Sequence, residues 1–256
     1  MSSLPLTVAS YNMRKAIGTD RRRDPRRVLD VLHEIDADVV ALQEADKRVG
    51  GRASAVPHEL FDAHSGYQPV PLGVKNRRVL DRLPRVGARV DELLKVDTRS
   101  IGWHGNALLV KPHVQVMDVA ALELPTLEPR GAVMAELLVN DQPFRVVGLH
   151  LDLSGLWRRR QLRAILEQIG ARPQAMPTVL MGDTNEWRTA AGCLQELDGA
   201  YRIAPTGPSF HSRRPVAALD RIVVDKRLRI EAAGVHHSAA AQKASDHLPV
   251  WARLVL

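Results

Sequence analysis

Several apolar runs in this chain end in a residue that can do chemistry. Ala9–Tyr11 runs into Asn12, Val39–Gln43 into Glu44, and Val146–Leu149 into His150. Val179–Gly182 runs into Asp183 with Asn185 two residues on, Leu219 into Asp220, and Ser245–Asp246–His247 precedes the last apolar stretch. A buried strand ending in Asn, Glu, His or Asp delivers that group to the rim of its sheet, where layered α/β folds bind ligands. Each ending alone has a bland reading: a Glu after a strand is commonly a solvated cap, a His a hydrogen-bonded rim residue, a Gly-Asp pair a turn. Together they require a counter-charge, because carboxylates gathered at one rim repel unless a cation or proton neutralises them. Oxygen donors from Asp, Glu and Asn, without a cysteine cluster, suit a hard divalent ion, Mg²⁺ or Mn²⁺. Mg²⁺ keeps several waters and takes one or two carboxylates plus substrate phosphate oxygens. That points to phosphoester hydrolysis rather than to a structural metal.

The elements that must position these groups alternate along the chain. Strands are expected at Leu6–Tyr11, Val39–Leu42, near Tyr67–Val70, and at Ala107–Val110, Val133–Val139, Phe144–Leu149, Thr178–Met181, Leu219–Val224 and Pro249–Val255. Helices are expected at Pro25–Ile35, with Val28, Leu29, Leu32 and Ile35 at helical spacing, and at Arg158–Ile169. Strands dominate and helices are widely interleaved, which suggests packed sheets with helices outside rather than a TIM barrel. One stretch stands apart. Residues 75–100 carry eight Lys and Arg against four Asp and Glu, and read as a helical insertion broken at Pro84 and Gly87.

Composition sets the remaining bounds. A single domain over residues 1–256 is expected, with enough apolar content (45%) for a sizeable core. Net charge is +7, and arginines cluster at Arg21–Arg23 with Arg26–Arg27 and at Arg158–Arg160, fields that attract nucleic acid, anionic membrane or phosphorylated small molecules. The lone Cys193 excludes an intramolecular disulfide and a thiolate zinc site. No apolar run reaches the roughly 20 residues that span a bilayer, and the first ten residues lack a signal-peptide core. The expectation is a cytoplasmic monomer with no obligate protein partner.

The ordered set Tyr11–Asn12, Leu42–Gln43–Glu44, Gly105–Asn106–Ala107, Pro129–Arg130–Gly131–Ala132, His150, Gly182–Asp183–Thr184–Asn185, Leu219–Asp220–Arg221–Ile222 and Ser245–Asp246–His247 resembles the endonuclease/exonuclease/phosphatase superfamily, the DNase I-like metal-dependent phosphoesterases. The resemblance runs from residue 7 to 254. Thr184 departs from it, since the family usually has a bulky apolar residue there; its side chain is expected to pack inward. The resemblance implies an α/β four-layer sandwich, two mixed sheets face to face with helices outside. It implies that Glu44 holds Mg²⁺ or Mn²⁺ with Asn12 and Asp246 nearby, and that Asp183 orients or deprotonates the attacking water. Asn185 would hold the scissile phosphate, and His247, positioned by Asp220, would supply a proton or positive charge. His150, Arg130 and Asn106 would contact the phosphate. The choice between Asp183 and His247 as base stays open at this level, as does one metal against two.

A phosphodiester substrate is expected, with a nuclease slightly favoured by the basic balance. A phospholipid or sphingolipid head-group phosphodiesterase and a small-molecule phosphatase are the other branches. A non-catalytic binding module on the same fold is the alternative of a different class; the complete set of ionisable residues argues against it.

Overall fold

In the computed structural model, residues 5–46, 54–56, 66–72, 103–126, 131–188, 191–197 and 199–256 are described. The expected insertion at 75–100 and Arg130 lie outside them.

Among the described residues twelve strands form two mixed six-stranded sheets. The first sheet contains β1 (Pro5–Asn12), β2 (Val39–Gln43), β3 (Gln68–Pro69), β4 (Ala107–Val110), β11 (Arg229–Val235) and β12 (Val250–Val255), in the order β11-β12-β1-β2-β4-β3. The second contains β5 (Gln115–Glu123), β6 (Gly131–Val139), β7 (Gln142–His150), β8 (Thr178–Asp183), β9 (Tyr201–Ile203) and β10 (Asp220–Asp225), in the order β5-β6-β7-β8-β10-β9. Among the described residues the α-helices are α1 (Pro25–Ile35), α2 (Gly155–Gly170) and α3 (Ala239–Ala244).

Strand periodicity explains the layering. In β2, Val39 and Ala41 face the other sheet while Val40 and Leu42 face α1; in β8, Val179 and Met181 face inward while Leu180 faces α2. The central strands are therefore apolar on both faces and read as continuous runs. One cluster fills the space between the sheets, and one lies outside each: α1 and α3 over the first sheet, α2 over the second. This is the expected four-layer sandwich. Helix α1 starts where Pro25 sits in its first turn and the Asp24 carboxylate caps the Arg26 N–H, and it ends at Asp36 in the left-handed region (φ 50°).

Three strands were not expected: β5, β9 and β11. All are sheet edges, half wet, so their sequences carry no clean apolar run. Helix α3, six residues long, is too short for its period to register. Helix α2 begins three residues earlier than its pattern suggests, because Asp152 accepts from the Ser154 N–H (2.8 Å) and turns the chain at once into the helix. No helix among the described residues is long and apolar enough to cross a membrane.

Candidate active site

The pairings bring the chemistry-bearing ends to one edge. Strands β1 and β2 run parallel, so Asn12 and Glu44 leave the sheet on the same side. Strand β12 runs antiparallel to β1 with Val250 opposite Ser10, so the approach to β12 that carries Asp246 and His247 meets the end of β1. The Ser245 hydroxyl fastens that approach by donating to the Asn12 carbonyl at 2.7 Å. In the second sheet β7 and β8 are parallel with His150 opposite Asp183, and β10 is antiparallel to β8 with Asp220 opposite Asp183. Gly182 lets this happen: a Cβ there would lie 1.9 Å from the Leu149 carbonyl oxygen.

Asp183 is the point at which the two sheets meet. Its Oδ2 accepts from Asn12 Nδ2 (3.0 Å) and lies 3.5 Å from His150 Nε2 and 3.8 Å from His247 Nε2. Its Oδ1 accepts from the Asn185 N–H at 2.9 Å. Asn185 takes a left-handed backbone (φ 51°), which Asn tolerates better than most residues, and donates its side-chain amide to the Leu151 carbonyl (2.9 Å). Thr184 is buried with its hydroxyl on the Leu219 carbonyl, so the departure from the family pattern points inward.

Asp220 is fully buried and accepts on Oδ2 from His247 Nδ1 (2.8 Å) and from the Ser209 hydroxyl (2.5 Å). That bond fixes the imidazole, so that Nε2 turns toward Asp183. Burial disfavours the charged ring of His247, but Asp220, by charge and hydrogen bond, and then Asp183 and Asp246, override it and raise the pKa to about 10. Burial and the Asp220 charge push Asp183 the other way from an exposed carboxyl, up to about 6, against the pull of His247, the Asn185 N–H and Asn12. The pair is set as a cationic imidazole facing a carboxylate of raised basicity.

Glu44 and Asp246 each face an internal cation. The turn Arg14–Ala16 has all three residues in the left-handed region (φ 46°, 56° and 59°), and it places Lys15 Nζ 3.0 Å from Glu44 and Arg14 Nε 3.2 Å from Asp246. Glu44 itself has φ 52°. Asn12, Glu44 and Asp246 stand at the ends of three neighbouring strands and offer the oxygen donors a hard divalent ion takes, although Lys15 and Arg14 already face the two carboxylates and the Asn12 Oδ1 accepts from the Arg14 N–H (3.1 Å). Ligand atoms of Asp183, Asp220 and His247 also lie within 4.8 Å of one another. There His247 Nδ1 and Asp220 Oδ2 are already bonded to one another and the imidazole is held as the charged ring, which has no lone pair for a metal, so this trio reads as an acid–base unit. Asn106 is fully buried, and its amide donates to the Gly131 carbonyl at 2.8 Å; no hydrogen bond joins it to the Asp183 cluster among the described residues.

Several residues at the site carried no recognisable signal in the sequence. Ser209 and Phe210, whose ring lies 4.9 Å from that of His247, belong to a loop with no apolar run. Glu186 is buried beneath the Asn185 turn, where it accepts from the Arg188 and Cys193 N–H groups and from Arg158 (3.2 Å). Arg158 is thus an internal strut, although its sequence places it in a cationic cluster. Removing Glu186 leaves a buried guanidinium unpaired, so Glu186→Ala should cost about 3–5 kcal/mol in chemical denaturation. Adding Arg158→Leu should restore part of the loss; an unchanged denaturation midpoint in the single variant would show that the strut carries no stability.

Fold and rim together define a two-sheet sandwich with an acid–base unit set across one edge. The chain belongs to the endonuclease/exonuclease/phosphatase family, whose profile matches residues 9–247. Members of that family are hydrolytic phosphoesterases and are in general dependent on a divalent metal. In sequence the chain is similar to YbhP, an uncharacterized protein of Escherichia coli K12, with 27% identity over 163 residues. The match takes in 60% of this chain and 64% of that protein, so the chain spans a little under two thirds of the curated relatives' length. In structure it resembles an endonuclease/exonuclease/phosphatase family protein from Bacteroides thetaiotaomicron (TM-score 0.73, 17% identity, 100% of this chain and 99% of that one). It also resembles a mannosyl-6-phosphatase of the same species (0.71, 18%, 98% and 100%) and D. rerio TDP2 complexed with a single-strand DNA product (0.70, 17%, 98% and 99%). At these identities the likeness is one of fold.

Proposed function

We propose that the chain hydrolyses a phosphodiester with a divalent metal, Mg²⁺ or Mn²⁺, held by Glu44 with Asn12 and Asp246. The observation that carries this reading is the position of Asp183 Oδ2, within reach of Asn12, His150 and His247 at the junction of the sheets. When bound, the metal would neutralise charge on the phosphoryl oxygens. Asp183, with its raised pKa, takes the proton of the attacking water as the new P–O bond forms. His247, kept protonated by Asp220, stabilises the phosphoryl charge and offers its Nε2 proton to the oxygen released as the old P–O bond breaks. Asn185, His150 and Arg130 orient the phosphate, and Asn106 braces the start of β6 through the Gly131 carbonyl. This division assigns the base to Asp183, because an imidazole already protonated has no lone pair to accept with.

The leaving group sets the substrate class. The charge argument for nucleic acid weakens once Arg27 is seen paired to Asp20 and Asp24, and Arg158 to Glu186. A panel of plasmid and single-stranded DNA, RNA, phospholipid vesicles, inositol phosphates and bis-p-nitrophenyl phosphate, each with Mg²⁺, tests the reading. Release from at least one diester is expected. Hydrolysis of monoesters alone would move the assignment to a phosphatase, and inertness toward every ester would leave a binding module.

A further inference from the structure

Among the described residues the large exposed hydrophobics are Met117, Leu153, Leu156, Trp187 and Val216, and all but Met117 belong to the segments that follow or precede the catalytic strand ends, Leu156 in the first turn of α2 and the others in loops. Leu153 and Leu156 follow His150, Trp187 follows Asn185, and Val216 precedes Asp220. Contacts link these loops into one rim. Arg158 donates to the Leu153 carbonyl (2.6 Å) and to Glu186, the neighbour of Trp187. The Trp187 ring stands edge-on to Phe210 at 6.3 Å, and the Val216 N–H donates to the Phe210 carbonyl (2.7 Å). Phe210 in turn lies against the His247 ring.

The exposure is large: 71% for Leu153, 59% for Leu156, 62% for Trp187 and 70% for Val216. Side chains this apolar and this wet, gathered at one edge, mark an interaction surface rather than chance scatter. Cations flank its residues along the chain. Arg160, Arg188 and Arg214 are exposed and have no carboxylate partner among the described residues. The carboxylates beside these residues in sequence, Asp152 and Glu186, are buried, the latter bound to Arg158, and the partly exposed Glu44 and Asp246 of the cleft are paired with Lys15 and Arg14.

We propose that this rim docks the catalytic cleft onto an anionic lipid surface, so that the phosphodiester it takes is that of an amphiphile. Three of the four apolar residues are aliphatic, with no π-face on which a nucleobase could stack. Leu and Trp flanked by Arg are the chemistry of insertion at a lipid interface: apolar tips below the head groups, guanidiniums among the phosphates. The choice of substrate rests on the phosphodiester reading of the cleft; the docking itself does not.

The test is co-sedimentation with vesicles of phosphatidylglycerol and phosphatidylcholine in equal parts, against phosphatidylcholine alone, in chelator so that no turnover enters. The chain is expected to bind the anionic vesicles preferentially and to release them at high salt. Leu153→Ser with Leu156→Ser, and separately Trp187→Ser, should each weaken binding by about tenfold or more, the value of withdrawing one large apolar side chain. Arg188→Glu should weaken it by a smaller factor, and thermal unfolding midpoints should stay in place. Equal binding by wild type and rim variants, or no binding by wild type, overturns the proposal. So does a loss in the variants of single-stranded oligonucleotide binding, or of self-association, with vesicles never bound. If vesicles bind but no ester in the panel is hydrolysed, the docking stands and the hydrolase reading falls.

Discussion

His247→Ala and Asp220→Asn are each expected to lower turnover of a diester by about 10²–10⁴-fold, the range that a positioned acid or base contributes. The double variant should be little worse than the worse single. The reason is geometric. Asp220 Oδ2 holds His247 Nδ1 at 2.8 Å, burial keeps water from replacing either partner, and the charge of Asp220 keeps the ring protonated. Removing the carboxylate therefore removes the proper state of the histidine, and groups that act as one unit lose their effect once. Asp183→Asn should cost a similar factor by a separate route, since it deletes the proton acceptor while keeping the shape that Asn12 and the Asn185 N–H grip. Turnover numbers for the three singles and the double variant decide the matter. Simple multiplication of the Asp220 and His247 losses would show that the two side chains work independently. A His247→Ala variant with near-native turnover would remove the histidine from the chemistry.

The cluster around Asp183 was legible in the sequence because its members end or begin buried strands. Asn12, His150 and Asp183 each close a continuous apolar run, and Asp220 opens one, so one-dimensional periodicity already places them at a rim. Which rim faces which follows only from strand order, and a sequence does not display pairing between residues as far apart as Asp220 and Asp183 in different strands. The charge pattern misled in one respect. Arg158 and Arg27 look like parts of cationic clusters, yet each is held by carboxylates, Glu186 for one and Asp20 with Asp24 for the other. Glu186 gave no warning, being a single acid in a loop whose partner lies 28 positions away. The apolar rim gave no signal for a different reason: Leu153, Leu156 and Val216 lie outside every expected element, and their order along the chain does not say whether the fold buries them.

Exhaustive chelation is expected to abolish hydrolysis, and Mg²⁺ or Mn²⁺ to restore it. The donors that would hold the ion are oxygens, and thiolates are absent from the site, so a hard ion should restore activity where a soft one does not. Glu44→Gln keeps the shape and removes the charge that attracts the ion; it should weaken metal affinity by at least about tenfold, a lower bound taken from the loss that even an outer-shell partner causes. The titration can be read without turnover, as the rise of the thermal unfolding midpoint with added metal. The same readout examines the turn at Arg14–Ala16. Lys15 Nζ lies 3.0 Å from the Glu44 carboxylate, and a divalent ion arriving there competes with it. Lys15→Met should therefore tighten metal binding, but by no more than about fivefold, because a partly exposed ion pair is worth at most about 1 kcal/mol. Full turnover after chelation would sink the metal reading altogether. An unchanged titration in Glu44→Gln would move the ion away from the end of β2. Weaker binding in Lys15→Met would mean that the lysine supports the ion's surroundings rather than competing for its ligand.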